Sequence, residues 1–506
     1  MGVGFEFERR VEFAPERATE ILREIPAAPG VVCLRGHDEA AQPYLTRAAD
    51  VRRRLRRLLD SPDAVDEAGR PVLSKRLNLR ERVRWIEWTR TGSEFESTVV
   101  LYCAARASFG PAEARRRLRL HAPFVLRMAM SNEHPRVYVT NKLNKRSLAE
   151  AYGPFASRAA AERYCEAVLD LFKLRRCWED LEVSPEHPGC AYGEMKMCME
   201  PCKGACTREE YAAEAERVRS FLETNGESML AELAAKREAA SEAMDFEGAA
   251  AAHKQWEKVK AATALADEIV QPLMKLRALI VQAAAPTDEE SAREAASVFA
   301  FEQGRIVGPE RLSTLGVRAV KEQTAVGSSL FAQPLMIAAV PLDQPSEQAR
   351  RGPRDEASQQ VSESASQGAG EAMVSHAALN PEERARGVIA RLEERVREAG
   401  EPQVEERCDY LSLLRRWYYR PEKQRAGAIL FPNPDGAWPV RRLLNAAARE
   451  ALGPPREAAA VDREAAKEMK TRVLHPGREG VERVVPLLPK RARRKKGVLP
   501  ENVPEE

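Results

Sequence analysis

Five of the nine cysteines in this chain fall within one short segment, and this clustering constrains the fold more than any other feature. The N-terminal sequence lacks a secretory signal, so we expect a cytoplasmic protein, in which disulfides are rare and thiols stay free or bind metal. Four thiolates that meet at one point suit zinc or an iron–sulfur cluster. The clustered cysteines are Cys177, Cys190, Cys198, Cys202 and Cys206.

The spacing within this segment favours one kind of metal centre. It contains no paired C-x2-C knuckles, which are the usual signature of a zinc ribbon. Loosely spaced cysteines followed by the compact pair Cys198 and Cys202 are more typical of a loop that holds a cluster. We therefore predict an iron–sulfur cluster. Zinc, with His187 as a further ligand, and a set of reduced, half-buried thiols are the alternatives.

Length and charge exclude several classes of protein. With 506 residues the chain is too long for one compact domain, and about three domains are expected. Its 80 Lys and Arg residues nearly balance 77 Asp and Glu residues, so it is neither a basic coat protein nor an acidic tail. No run approaches the roughly eighteen apolar residues of a membrane-spanning helix, so we predict no membrane partner.

The first 145 residues combine strand and helix signals. Pro29 and Gly30 form a turn before the apolar run VVCL, which predicts a strand. The segment AADVRRRLRRLL places apolar residues on one helical face and arginines on the other. We interpret residues 1–145 as a small α/β domain.

Changes in composition divide the rest of the chain into six segments, and the whole predicts an α+β multidomain fold. Strong helix formers predict two long antiparallel helices in the second of these segments, whereas a Ser-, Gln- and Glu-rich stretch predicts disorder. The segments are a helical and cysteine-rich module (146–206), a helical hairpin (207–265), a strand-rich domain (266–342), a disordered linker (343–378), a helical segment that completes the strand-rich domain (379–455) and a charged flexible tail (456–506).

Three separated motifs point to a known family. YGPF at 152–155 begins a stretch that ends in LRRC at 174–177, CMEPCKG follows at 198–204, and DFEGAA lies at 245–250. In this order and spacing the motifs resemble the UvrC family of bacterial excinuclease subunits, which cut DNA on both sides of a lesion in nucleotide excision repair. The resemblance covers roughly residues 20–340 and, more weakly, 405–435.

The resemblance implies two binding functions. The family holds an iron–sulfur cluster on four cysteines, and Cys206 would then be an extra thiol. The implied cluster ligands are Cys177, Cys190, Cys198 and Cys202. The family's UVR motif docks onto the protein UvrB. The implied docking residues are Asp245, Phe246, Glu247, Ala249 and Ala250.

The same resemblance implies an N-terminal nuclease of the GIY-YIG type that has lost essential groups. Its chemistry needs a tyrosine to activate water, a second tyrosine and a basic pair to hold phosphate, and a glutamate to bind one metal ion. Val32 stands where the first tyrosine belongs, and Leu101 where the glutamate belongs, with Glu94 and Glu96 nearby. Mg²⁺ or Mn²⁺ is therefore implied only if nuclease activity remains. The catalytic positions that are kept are Tyr44, Arg47 and Arg54.

The family's second nuclease is an RNase H-like domain with an Asp/Asp/His constellation. No strand-borne signature of that kind follows residue 341, and the remaining residues, mostly helical, offer little room for one. We therefore expect this second nuclease to be absent.

Basic clusters predict contact with nucleic acid. Each arginine that neutralises a phosphate adds affinity that depends on salt and not on base sequence. A second cluster lies at 115–119 and a third at 490–496, and a solvated helix face is the alternative for each. The first cluster, beside the implied phosphate site, consists of Arg52, Arg53, Arg56 and Arg57.

Together these features favour a UvrC-like component of excision repair that binds damaged double-stranded DNA, docks on a UvrB-like protein and has lost or weakened incision. One alternative is an active single-metal nuclease that uses Tyr44, Arg47, Arg54 and either Glu94 or Glu96. The other is a scaffold that uses its UVR-like helices for a different partner and binds no DNA.

Overall fold

The computed structural model describes seven stretches of the chain, with helices or strands in each. They are residues 5–38, 40–59, 77–178, 181–287, 294–317, 380–421 and 424–452. The predicted linker, the predicted tail and the third basic cluster lie outside the described residues. Within these stretches, no helix is long and apolar enough to cross a membrane.

The N-terminal part is an antiparallel sheet covered by helices. Its elements are β1 (Arg9–Glu12), α1 (Ala18–Glu24), β2 (Gly30–Gly36), β3 (Tyr44–Ala48), α2 (Val51–Leu59), β4 (Val83–Arg90), α3 (Glu94–Phe109) and α4 (Pro111–Leu118). The strand order is β1-β4-β2-β3. Helices α1 and α2 pack on the sheet face that presents Val32 and Leu34. Helix α2 buries Val51 and Leu55, as the apolar spacing predicts.

The second part contains another four-stranded sheet and most of the helices. Its elements are β5 (Val125–Met128), β6 (Val137–Thr140), α5 (Lys145–Ala149), β7 (Ala151–Gly153), α6 (Arg158–Leu169), α7 (Ala191–Glu194), α8 (Arg208–Glu223), α9 (Glu227–Glu242), α10 (Phe246–Thr263) and β8 (Gln271–Pro272). The strand order is β6-β5-β7-β8, so this sheet takes strands from both sides of the boundaries predicted at 145 and 265. Side-chain caps fix the helix starts, with Ser157 accepting from the Ala160 amide and Thr207 from the Glu210 amide.

The segment 207–265 holds three helices, and the prediction of two was wrong. Asn225 and Gly226 adopt left-handed φ angles of 49° and 84° and separate α8 from α9. Helix α8 buries Tyr211 and Phe221 in the central core. Only α9 and α10 therefore form the hairpin, because α8 belongs to the packed body of the protein.

The third part is a sheet with helices on both sides. Its elements are β9 (Ala278–Ala283), β10 (Ala295–Glu302), β11 (Arg305–Ser313), α11 (Pro381–Ala399), α12 (Val404–Tyr418), β12 (Ala428–Leu430) and α13 (Val440–Leu452). The strand order is β11-β10-β9-β12. Gln303 and Gly304, with φ angles of 51° and 75°, connect β10 to β11 in a tight hairpin turn.

Helix α12 connects the third sheet to the N-terminal part. The ring of Phe95 on α3 lies 5.3 Å from that of Phe299 on β10 and 5.1 Å from that of Trp417 on α12. On the same helix, the buried Asp409 accepts a hydrogen bond from the Tyr102 hydroxyl at 3.0 Å. One hydrophobic core therefore runs from α3 through α12 to β10.

Candidate functional site

The three catalytic positions kept from the family pattern separate into two groups. Arg54 Nη2 donates to the Tyr44 hydroxyl at 2.6 Å. Tyr44 and Arg47 are three residues apart on β3, so strand alternation directs their side chains to opposite faces of the sheet. The structure brings Tyr44 together with Arg54 on the α2 side and places Arg47 on the α3 side.

Arg47 belongs to an ion-pair cluster centred on Glu94. Arg47 Nη1 donates to Glu94 Oε1 at 2.9 Å, and Arg420 donates to both carboxylate oxygens, at 2.8 and 3.0 Å. The hydrogen bonds from Arg420 contribute most to holding the pKa of Glu94 below its usual value. A carboxylate that accepts hydrogen bonds from two guanidinium groups is poorly available as a metal ligand.

Glu96, the other acid near the implied metal position, is buried. Its carboxylate accepts a hydrogen bond from the Gly92 amide at 2.8 Å. Burial raises the pKa of Glu96 to about 7, so near neutral pH the group is partly protonated. Neither Glu94 nor Glu96 is therefore presented as an open metal ligand.

A cleft of about 270 Å³ lies between α3, α4 and α12. Leu101, which stands where the family has its metal-binding glutamate, forms part of its wall. Four guanidinium groups also line the cleft, namely those of Arg47, Arg117, Arg416 and Arg420. Positive charge thus surrounds the position where the resemblance implies a metal.

Sequence reasoning missed Arg416 and Arg420. Arg420 lies 326 residues from Glu94 in the chain, and no local pattern relates the two. The signal that could have drawn attention to them is the run RRWYYR, in which three aromatic residues lie between arginines within and just after a helix. Such a composition is common on nucleic-acid-binding surfaces.

The first basic cluster, on α2, is partly free. Arg53, Arg56 and Arg57 are exposed. Arg52 is half-buried, and its Nε donates to the Ile25 carbonyl at 2.5 Å. Three of the four predicted DNA contacts are therefore accessible on one helix.

The second basic cluster is largely neutralised within the chain. Arg115 pairs with Asp409 at 2.8 Å, while Arg116 and Arg117 both pair with Glu113 at 2.7 Å. Three of the four arginines at 115–119 therefore already pair with carboxylates of the chain, and the second DNA-facing patch stays a prediction.

The four implied cluster ligands lie in an irregular segment around the short helix α7. Cys190 is the residue before that helix, and the Glu200 amide donates to Cys198 Sγ at 3.4 Å. Burial, together with the charges of Cys190, Cys177 and Cys202, raises the pKa of the Cys198 thiol to about 11. The charges of Cys177, Cys190 and Cys202 therefore reach Cys198. Across the described stretches, however, no three His, Cys, Asp or Glu side chains are already arranged to hold a metal ion.

The turn between α9 and α10 presents apolar side chains to solvent. Asp245 caps α10, its Oδ1 accepting from the Gly248 amide at 2.9 Å. The side chains on either side of it, Met244 and Phe246, are 77% and 74% exposed. Of the other implied docking residues, Glu247 and Ala250 are exposed and Ala249 is half-buried. Paired exposed apolar residues at a rigid turn are typical of a partner-binding site.

Comparisons with known proteins agree with the motifs. Residues 124–221 match the family model for the UvrC/Cho excinuclease middle domain. UvrABC system protein C from Lachnospira eligens is 27% identical over 237 residues, which is 46% of this chain and 36% of that protein. The middle of the chain is therefore a UvrC/Cho-type domain, and the chain is similar to UvrC proteins over about half of its length. This confirms the resemblance on which the sequence analysis relies.

Other UvrC relatives match in the same way. The UvrABC system protein C of Actinobacillus succinogenes is 28% identical over 243 residues, 47% of this chain and 38% of that protein. That of Ruminiclostridium cellulolyticum is 24% identical over 294 residues, 58% of this chain and 45% of that protein. These matches thus span less than half the length of the curated UvrC relatives. No solved structure matches the chain.

The UvrC middle-domain match covers the second sheet from β5 to α8. It begins one residue before β5 and ends within α8, at residue 221. The cysteine segment lies inside this range, whereas Tyr44, Glu94 and the α9–α10 turn lie outside it. The family match therefore does not indicate the functions of those outer sites.

Proposed function

We propose that this UvrC-family chain is a DNA-binding component of bacterial nucleotide excision repair whose incision activity is lost or much weakened. The observation that carries this proposal is the cluster around Glu94, in which two arginines bind a carboxylate close in sequence to the implied metal position. Without a metal ion, charge that develops on a phosphate in the transition state has weak stabilisation. The relatives' name, UvrABC system protein C, supports the assignment to excision repair.

A nicking assay tests this proposal. We expect the chain, mixed with UvrB and end-labelled duplex DNA that carries one lesion, to nick at least about a thousandfold more slowly than a full-length UvrC relative in Mg²⁺ or Mn²⁺. The reason is that Leu101 supplies no ligand and Glu94 is engaged. Gel separation of the labelled strands measures the rate.

The control for this assay is the Arg54→Ala variant. Metal-dependent nicking by the wild type that disappears in this variant would favour the active single-metal nuclease. The hydrogen bond between Arg54 and Tyr44, at 2.6 Å, is the observation that keeps this second function open. The scaffold alternative instead predicts no binding of DNA even at low salt, which a gel-shift measurement distinguishes.

Docking onto a UvrB-like protein through the α9–α10 turn is the second element of the proposal. Met244 and Phe246 are the two most exposed large apolar side chains among the described residues. Each lies next to Asp245, whose capping bond fixes the turn. A rigid, exposed aromatic residue supplies contact area at low cost in conformational entropy.

Removing this apolar tip should weaken the complex with UvrB. We expect the Met244→Ala/Phe246→Ala double variant to raise the dissociation constant at least about tenfold, because exposed aromatic anchors carry much of an interface's energy. Titration calorimetry with purified UvrB measures the constant. Lys254→Ala, which alters an exposed residue further along α10, is the matched control. Equal affinities for all three proteins would contradict docking through the turn.

An iron–sulfur cluster on Cys177, Cys190, Cys198 and Cys202 is the third element of the proposal. The chemistry of the donor set suits such a cluster, since thiolates are its usual ligands and a backbone amide already donates to Cys198 Sγ. When bound, the cluster would cross-link an irregular segment that has little secondary structure of its own. His187 Nδ1 accepts a hydrogen bond from the Gly189 amide at 3.0 Å, which makes it a weaker candidate for the zinc alternative.

A further inference from the structure

We propose that the cleft between α3, α4 and α12 binds a phosphoryl group without a metal ion, through the guanidinium groups of Arg47, Arg416 and Arg420. This inference rests on the proposed DNA-binding function and adds to it the place at which a backbone phosphate is held. The same chemistry would accept the phosphates of a free nucleotide. The two sources are separated in the experiment below.

In the part of the chain that the structure describes, two neighbouring arginines of α12 have no acidic partner. Arg416 donates to the main-chain carbonyls of Leu118, at 2.9 Å, and Arg119, while Arg415 Nη1 donates to the Ala156 carbonyl at 2.8 Å. Among the residues that the structure describes, neither guanidinium forms an ion pair. Burial and the charge of Arg415 lower the pKa of Arg416. An anion in the cleft would relieve this uncompensated charge.

The walls of the cleft carry more positive than negative charge. Of the four lining guanidiniums, Arg47 and Arg420 share Glu94, and Arg117 pairs with Glu113. Two carboxylates therefore face four cations. An anion that entered the cleft would meet a net attraction, strengthened by the low local dielectric.

Glu94 can leave its two arginine partners when a ligand binds. Its side chain is 45% exposed, so it can turn towards solvent when a competing anion approaches. Both of its guanidinium partners would then be free to donate to phosphate oxygens. Planar guanidinium groups bind such oxygens through two parallel hydrogen bonds, which favours phosphate over a simple halide.

Leu101 also favours an anion in the cleft, because it adds no negative charge. A glutamate at this position would repel a phosphate unless a metal ion lay between them, whereas leucine adds an apolar wall beside Leu118 and Leu413. Arginines from α12 thus take over the charge neutralisation that a metal provides elsewhere. The cleft can hold a phosphate but offers no group placed to activate water among its lining residues.

The test compares DNA binding by three variants of the full chain in buffer with EDTA. They are Arg416→Gln/Arg420→Gln, Glu94→Gln and the charge-matched control Arg158→Gln/Arg386→Gln, whose arginines are 69% and 61% exposed on other helices. Fluorescence anisotropy with a labelled duplex is measured across a salt series. Pyrophosphate and ATP compete in parallel titrations.

We expect the Arg416→Gln/Arg420→Gln variant to bind about tenfold more weakly and to reduce the salt slope by about two, one unit for each lost phosphate contact. Glu94→Gln should bind about threefold more tightly, because it releases Arg47 and Arg420 without removing packing. The control should keep the wild-type slope. Arg416 also donates hydrogen bonds to carbonyls at the end of α4. If losing these bonds unfolds the double variant, the affinity of Glu94→Gln still tests phosphate binding in the cleft.

Each outcome decides the inference. Wild-type DNA binding with an unchanged slope in the double variant, or unchanged affinity in Glu94→Gln, overturns the cleft while leaving the proposed function standing. Competition by pyrophosphate or ATP at low concentration that depends on Arg416 and Arg420, without DNA binding, supports the cleft and overturns the proposed function. Failure of the wild type to bind DNA, pyrophosphate or ATP overturns both.

Discussion

Replacing Asp409 with alanine should destabilise the protein by about 3–5 kcal/mol, the usual cost of breaking a buried ion pair from one side. Asp409 is 2% exposed. It accepts hydrogen bonds from the Tyr102 hydroxyl at 3.0 Å and from Arg115 Nε at 2.8 Å. The substitution leaves a partly buried guanidinium and a buried hydroxyl without their acceptor.

Denaturation in urea, followed by circular dichroism, measures this effect. Glu382→Ala, which removes the half-buried partner of the exposed Arg386, serves as the control and should cost less than about 1 kcal/mol. Because the chain has several parts, it need not unfold in a single step. The free energies of unfolding are therefore compared for the step in which α12 separates from Tyr102. Replacing Asp409 and Arg115 together with Leu and Met should recover most of the loss. A double variant no more stable than Asp409→Ala would show that the site has another role.

Asp409 matters because it fixes the helix that also forms the cleft. Asp409 faces α3 and α4 from the same helix that carries Arg416, and Arg420 follows just after that helix ends. Glu406, on the same helix, pairs with Arg106 of α3 at 2.6 Å and with Arg305 of β11 at 3.3 Å. Loss of these contacts would therefore separate Arg420 from Glu94, so stability and phosphate binding are expected to change together.

Local patterns were sufficient to predict the elements whose signal lies in adjacent residues. The apolar positions from Val51 to Leu59 predicted α2, because the spacing that defines a helical face lies within a few residues. The break at Asn225-Gly226 was equally local but was overlooked among strong helix formers. Its left-handed φ angles are the physical reason that one predicted helix became two.

Contacts between distant segments could not be predicted in this way. The partnership of Glu94 with Arg420, and of Tyr102 with Asp409, depends on how α12 packs against α3. Nothing within the N-terminal 145 residues contains that information. The opposite orientations of Tyr44 and Arg47 also required the observed strand, since the family motif alone suggests that both side chains meet one phosphate.

Replacing Cys202 with serine should remove the proposed cluster and its colour. Anaerobically purified wild type is expected to absorb at about 400 nm and to contain iron, as thiolate-bound clusters do. Cys202 is the most buried of the four implied ligands, at 7% exposure. A serine hydroxyl is a poor cluster ligand in place of this thiolate, and the position is too buried for water to bind the cluster instead. The segment 177–206 has few regular elements, and without the cluster we expect proteases to cleave it at least about tenfold faster.

Cys206→Ser is the matched control, because Cys206 lies in the same segment and is the thiol that the family pattern leaves over. It should keep the colour, the iron and the protease resistance of the wild type. A colourless wild type that contains zinc by elemental analysis would replace the iron–sulfur proposal with the zinc alternative. Iron that is lost in Cys206→Ser but kept in Cys202→Ser would instead move the fourth ligand to Cys206, which lies four residues after Cys202.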